Sequence, residues 1–183
     1  MGETGPVALY ERASARAVEI AEGVRPDQLA LPTPCSAWTV QGLLDHLVRG
    51  TVYLESAISG TPVEPSTGTT AADYRAGRDA CMAGLRDPAV LSRICQSPLG
   101  ADWTVLEATA GTFMDTLVHT WDLATATEQR ADLDPTLVEA CIDMFLPEMP
   151  ERGRAAGLVG PAVPVADDAT PQNRLLAAMG RRP

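Results

Sequence analysis

The sequence predicts an all-α protein, a four-helix bundle with short additional helices and a loop-rich C-terminal segment. Apolar residues recur every three or four positions over long stretches, which is the period of an α-helix. Segments that contain proline and glycine separate these stretches. The 183 residues are 45% hydrophobic, which is enough to build a core, so we expect a single domain over residues 1–183.

The first two helices are predicted over residues 6–24 and 38–59. Between them, residues 26–37 form a loop that three prolines hold open. Thr39 is the expected N-cap of the second helix, because a threonine oxygen can accept a hydrogen bond from an amide of the first turn. Trp38 comes directly before it, and we expect this indole to pin the loop to the bundle.

A polar connector over residues 60–70 leads to a third helix over residues 71–87. Pro88 ends this helix, since proline has no amide hydrogen to continue the hydrogen-bond ladder. Residues 88–102 then form a short linker, with room for one strand or turn.

The longest helix is predicted over residues 103–129. Thr104 and Glu107 have the spacing of a capping box, in which each side chain bonds to the backbone of the other. A further helix follows over residues 134–149, with Asp134 as its N-cap.

The C-terminal part is rich in glycine and proline from Pro150 onwards, and we expect a loop-rich wrap there. It closes with a short helix over residues 170–180, which Thr170 caps and Gly180 ends. We expect this wrap to belong to the same domain as the bundle, because too few residues follow for a second one.

The charge balance excludes two classes of partner. The formal net charge is −10 and the sequence pI about 4.6, whereas nucleic-acid binding needs a basic face. Anionic membrane surfaces are disfavoured for the same reason. No signal-like segment opens the sequence and no apolar run approaches membrane length, so a cytoplasmic location is the expectation.

The four cysteines do not have the spacing of a zinc knuckle, because no two of them form a CxxC pair. Cys81 and Cys141 fall in helical patterns and are interpreted as small core residues. Cys35 lies in the loop before the second helix, where a reactive thiol is the alternative to a structural role.

The chain has two histidines, and both lie mid-helix among apolar residues. Asp115 comes one helical turn before His119 and Asp122 one turn after it, so all three share a face. His46 lies in the second helix. Two histidines and a carboxylate form a ligand set that leaves metal coordination positions open, which is typical of catalytic sites. A surface ion pair and two structural histidines are the alternatives.

Two segments taken together resemble the DinB/YfiT-like superfamily. They are "TPCSAWTVQGLLDHLV" at 33–48 and "DTLVHTWDLATAT" at 115–127. The similarity is strongest to the actinobacterial branch related to the N-terminal domain of mycothiol-dependent maleylpyruvate isomerase, and the ending "GPAVPVADDATPQNRLLAAMGRRP" at 160–183 also resembles that branch.

The resemblance implies a DinB-like four-helix bundle that holds a divalent metal near one end. The family's metal ligands fall on His46, Asp115 and His119, and Asp122 falls where a carboxylate can orient a ligand imidazole. The sequence assigns no catalytic residue besides these ligands. Many family members use a third histidine where this chain has Asp115. Zn²⁺ suits the set best, and Ni²⁺ or Fe²⁺ would also be accepted.

The resemblance also implies a function. We expect a metal-dependent thiol S-transferase or isomerase-like enzyme, with mycothiol as cosubstrate and a small electrophile as substrate. A metal-dependent hydrolase at the same site and a non-enzymatic bundle that binds a metal or small ligand are the alternatives. The expected partners are these small molecules and a second copy of the chain in a homodimer.

Overall fold

The computed structural model of the protein describes residues 5–36, 38–64 and 69–183. The chain divides into two compact units, residues 1–131 and 132–183. That the whole chain forms a single domain stays a prediction. Within the described residues, none of the helices is long and apolar enough to cross a lipid bilayer.

The first unit is a bundle of four long helices, which confirms the predicted all-α fold. The helix α4 packs against α1 and α2, and α3 packs against the same two helices. Their apolar faces meet in a core that includes Leu43, Leu47 and Leu123. The four helices are α1 (Pro6–Glu22), α2 (Val40–Ser59), α3 (Ala71–Gly84) and α4 (Val105–Ala126).

A short antiparallel hairpin precedes α4 and occupies the predicted linker. It consists of β1 (Ile94–Gln96) and β2 (Asp102–Thr104), with Cys95 opposite Trp103. The helix predicted from residue 103 therefore begins at Val105. Trp103 and Thr104 are residue types that favour strands, and pairing with β1 satisfies backbone groups that a helix would otherwise have used.

The connections between these helices contain short elements that the sequence did not predict. Single helical turns, Pro26–Gln28 and Pro88–Val90, interrupt the loops before α2 and after α3. Part of the predicted loop, Ala37, and part of the predicted polar connector, residues 65–68, lie outside the described residues. Gly60 ends α2 with a φ of 73°, a backbone conformation that glycine adopts without strain.

The helix α4 is buried on nearly all its faces between Val105 and Ala124. A polar side chain on such a helix needs a hydrogen-bond or charge partner, because burial without one costs free energy. The chain places Asp115, His119 and Asp122 on this helix. Their partners therefore decide what the helix can do beyond packing.

The second unit contains three short helices, where the sequence predicted two. The segment from Pro150 was expected to be loop, but a helix forms there, since proline is tolerated in a first turn and Arg152 and Arg154 suit a last turn. The thiol of Cys141 is buried here, as predicted. The helices are α5 (Pro135–Phe145), α6 (Met149–Ala155) and α7 (Pro171–Ala178).

The N-terminal cap of α4 provides a test of the fold. Thr104 Oγ1 accepts a hydrogen bond from the Glu107 amide, and Glu107 Oε2 accepts bonds from the Thr104 amide and hydroxyl. Replacing Thr104 with alanine should lower the free energy of unfolding by about 1 kcal/mol, because the cap is lost. Urea denaturation followed by circular dichroism measures this difference.

The matched control is Thr125→Ala, which truncates an exposed threonine near the other end of α4. Its unfolding free energy should be unchanged or slightly higher, since alanine favours helix. Equal stability of the two variants would contradict the assigned role of the cap.

Candidate metal centre

Two helices bring the predicted ligands together at one point of the bundle. His46 comes from α2, and Asp115 and His119 come from consecutive turns of α4. His46 Nε2 lies 3.1 and 3.0 Å from the two carboxylate oxygens of Asp115. His119 Nε2 lies 3.4 Å from Asp115 Oδ1. We call this group the His46 triad.

The His46 triad fits a divalent cation. One ligand atom from each residue lies within 4.8 Å of the others. With bonds of about 2.0–2.2 Å to nitrogen and oxygen, neighbouring ligands of a tetrahedral ion stand about 3.4 Å apart, close to the nitrogen–oxygen distances in the triad. Three protein ligands would leave a tetrahedral ion one open position. Metal binding by these three residues stays a prediction.

Asp122 holds the second ring nitrogen of His119. His119 Nδ1 lies 2.9 Å from Asp122 Oδ2, and the Asp122 side chain is fully buried. A carboxylate that accepts the Nδ1 hydrogen fixes the ring orientation and leaves Nε2 directed at Asp115. The contact is the one expected for a residue that supports a metal ligand.

Opposite charges stabilise each other within the triad. Burial alone would raise the pKa of Asp115, but the charges of His119 and His46 and hydrogen bonds from both hold it well below its usual range. Burial would lower the pKa of His119, but Asp115 and then Asp122 raise it to about 9. This pairing favours an ionised carboxylate and a protonated His119, and a metal ion that binds there would compete with that proton.

The triad is accessible from solvent on one side. The side chains of Asp115 and His46 are 34% and 23% exposed, whereas that of His119 is 8% exposed. Asp115 and His46 are therefore partly accessible to solvent, whereas His119 and Asp122 are buried.

Comparison with known proteins assigns the chain to a family. Residues 10–89 match the family model described as the mycothiol maleylpyruvate isomerase N-terminal domain. Two uncharacterized proteins of Mycobacterium tuberculosis are each 31% identical to this chain over 195 residues. One is from strain CDC 1551 / Oshkosh and the other from strain ATCC 25618 / H37Rv. Each alignment covers 96% of this chain and 97% of the relative. The chain belongs to the mycothiol maleylpyruvate isomerase N-terminal domain family.

This family is DinB-like, metal-binding and mycothiol-related, which confirms the resemblance seen in the sequence. The family match begins within α1, extends past the end of α3 and includes His46. The alignments with the two relatives extend over nearly the whole chain. No solved structure matched the chain significantly.

Trp38 packs against the His46 triad, a contact that the sequence did not predict. Its indole stacks on the His46 ring, with centroids 4.3 Å apart and planes 21° apart. It also makes a T-shaped contact with the His119 ring, at a centroid distance of 5.3 Å. The sequence predicted that Trp38 pins a loop to the bundle, and the structure shows in addition that it packs against both imidazoles.

Gly42 is the sequence signal that could have revealed this contact. It stands where an acidic residue would complete a capping box with Thr39. A Cβ atom at this position would lie 3.3 Å from Trp38 Cβ and 3.4 Å from its Cδ1. The first turn of α2 therefore lacks a side chain where the indole folds back, and His46 follows one turn later.

The same loop brings Cys35 to the buried side of the site. The Cys35 carbonyl accepts hydrogen bonds from the Thr33 hydroxyl and the Trp38 amide, which fixes the turn. Its thiol lies within 4.8 Å of a ring nitrogen of His119 and of a carboxylate oxygen of Asp122. Spacing in the sequence could not place this thiol, because 84 residues separate Cys35 from His119.

The contact between Asp122 and His119 can be tested by removing the charge alone. Asp122→Asn keeps the size of the side chain but weakens its hold on the imidazole, so the dissociation constant for Zn²⁺ should rise about 10–100-fold. Competition titration with a chromogenic chelator measures this constant.

Asp79→Asn is the matched control, since Asp79 is an exposed carboxylate on α3 that pairs with Arg78. It should bind Zn²⁺ like the wild type. Equal dissociation constants for both variants would show that Asp122 does not support a metal ligand.

Proposed function

We propose that the protein is a divalent-metal-dependent transferase that joins a low-molecular-weight thiol to a small electrophile. The observation that supports this most is the His46 triad, in which one carboxylate lies between two imidazole nitrogens at 3.0–3.4 Å. The membership in a mycothiol-related, metal-binding family makes mycothiol the proposed thiol.

Each residue of the triad has a distinct task in this proposal. His46, Asp115 and His119 would hold the ion, and Zn²⁺ suits two imidazoles and a carboxylate best. When bound, a divalent ion would supply Lewis acidity, which favours the thiolate form of a thiol cosubstrate at neutral pH.

The surrounding side chains position the triad. Asp122 holds the His119 ring through Nδ1, and Trp38 stacks on the His46 ring. His119 and Asp122 are buried, which strengthens the electrostatic interaction between them.

The small number of histidines favours thiol chemistry over a reaction that needs a histidine as general base. The chain has two histidines, and both belong to the His46 triad. A proton lost by an incoming thiol would pass to solvent, to which the side chains of Asp115 and His46 are partly exposed. Low-molecular-weight thiols are kept reduced inside cells, so we place this activity in the cytoplasm.

A thiol-consumption assay tests the proposed function. The wild-type protein loaded with Zn²⁺ should consume mycothiol in the presence of at least one member of a panel of small electrophiles. His46→Ala and Asp115→Ala should lose this activity by more than the ~10–100-fold that a lost supporting contact costs, because a ligand of the ion is missing. Free thiol is followed colorimetrically, and conjugates are identified by mass spectrometry.

Asp79→Asn, which alters a carboxylate remote from the triad in sequence, should retain wild-type activity. If the electrophile is turned over equally well without thiol, the transferase assignment is wrong and the protein is a hydrolase. If the protein binds metal but turns over no electrophile, it is a non-enzymatic binding protein.

A further inference from the structure

A second group of metal-ligating side chains lies beside the His46 triad. It consists of Cys35, His119 and Asp122, and we call it the Cys35 triad. The thiol sulfur, one ring nitrogen and one carboxylate oxygen all lie within 4.8 Å of one another. Among the described residues, this group and the His46 triad are the two sets with such spacing.

The two triads use different partners of the same imidazole. His119 Nε2 lies 3.4 Å from Asp115, whereas Nδ1 lies 2.9 Å from Asp122. Asp115 and Asp122 therefore contact different nitrogens of the His119 ring. The Cys35 triad takes neither His46 nor Asp115 from the first site. An ion bound at Nδ1 would replace the hydrogen that Asp122 accepts, so the second site is an alternative to the support that Asp122 gives His119.

The Cys35 triad differs from the His46 triad in chemistry. It replaces one imidazole with sulfur, and thiolate ligands favour thiophilic ions such as Zn²⁺ and Cd²⁺. A thiolate and a carboxylate together also balance the charge of a divalent ion. The group is more enclosed as well, because the Asp122 side chain is fully buried and His119 is 8% exposed.

Cys35 differs from the other three cysteines in its surroundings. Cys81 and Cys141 are buried, and Cys95 is half-buried on β1. These three thiols have no pair of metal-ligating neighbours within 4.8 Å among the described residues. Cys35 has such a pair, and its turn is held by hydrogen bonds to its carbonyl.

From these contacts we propose that Cys35, His119 and Asp122 form a second metal-binding site, specific for thiophilic divalent ions, which shares His119 with the His46 triad. The site extends the chemistry of the pocket from nitrogen and oxygen ligands to sulfur. It does not depend on the proposed transferase activity, because neither His46 nor a cosubstrate takes part in it.

The experiment isolates the second site by disabling the first. Full-length His46→Ala protein, freed of metal by chelation, is titrated with Co²⁺, whose bond to a thiolate gives a charge-transfer absorption in the near ultraviolet. We expect this absorption to appear and to saturate at one equivalent of Co²⁺. It should be lost in the double variant His46→Ala/Cys35→Ser.

The matched control is His46→Ala/Cys95→Ser, since Cys95 is another half-buried thiol that lies on β1. This variant should keep the absorption in full. If His46→Ala protein does not fold by circular dichroism, Asp115→Asn provides the same background, because it also lacks a ligand of the first site only.

A folded His46→Ala protein that shows no sulfur-to-cobalt absorption would overturn the proposal. An absorption that survives the loss of Cys35 would also overturn it, since another thiol would then be the ligand. Failure of the thiol-consumption assay leaves this result unaffected, so the two proposals fail independently.

Discussion

The carboxylate of Asp115, which lies between two imidazoles, is the interaction on which the rest of the site depends. It joins α2 to α4, because His46 comes from one helix and His119 from the other. An anionic group within a bundle costs free energy unless it is paired, and the two rings provide that pairing. The same arrangement places three ligand atoms around one point. The same contacts thus pair the Asp115 carboxylate with the two imidazoles and bring together three side chains that could bind a metal ion.

The surroundings of that carboxylate come from elements with different tasks. The buried helix α4 carries Asp115, His119 and Asp122 on adjacent turns, so their mutual positions follow from helix geometry. The loop before α2 supplies Trp38 on the His46 side and Cys35 on the His119 side. Helix α4 therefore fixes Asp115 and His119 relative to each other, and the hydrogen-bonded turn before α2 adds an aromatic ring and a thiol beside them.

The sequence predicted the bundle from local periodicity, and the two rare histidines together with the family resemblance pointed to His46, Asp115 and His119 as one group. The chain has two histidines, and helix spacing alone puts Asp115 and Asp122 within reach of one of them. It did not predict the contacts of Trp38 and Cys35, which depend on how a loop folds back over distant helices. The sequence analysis did not predict α6. The proline and glycine content of this segment indicated a loop, although proline can also occupy the first turn of a helix.

The most direct measurement is a crystal structure of the protein loaded with Zn²⁺, with anomalous diffraction data collected at the zinc absorption edge. The account predicts an anomalous peak bonded to Nε2 of His46, to Nε2 of His119 and to a carboxylate oxygen of Asp115. The direct contact between His46 and Asp115 should then be replaced by bonds to the ion. A structure in which that contact remains intact, with the zinc peak bound elsewhere, would contradict the account.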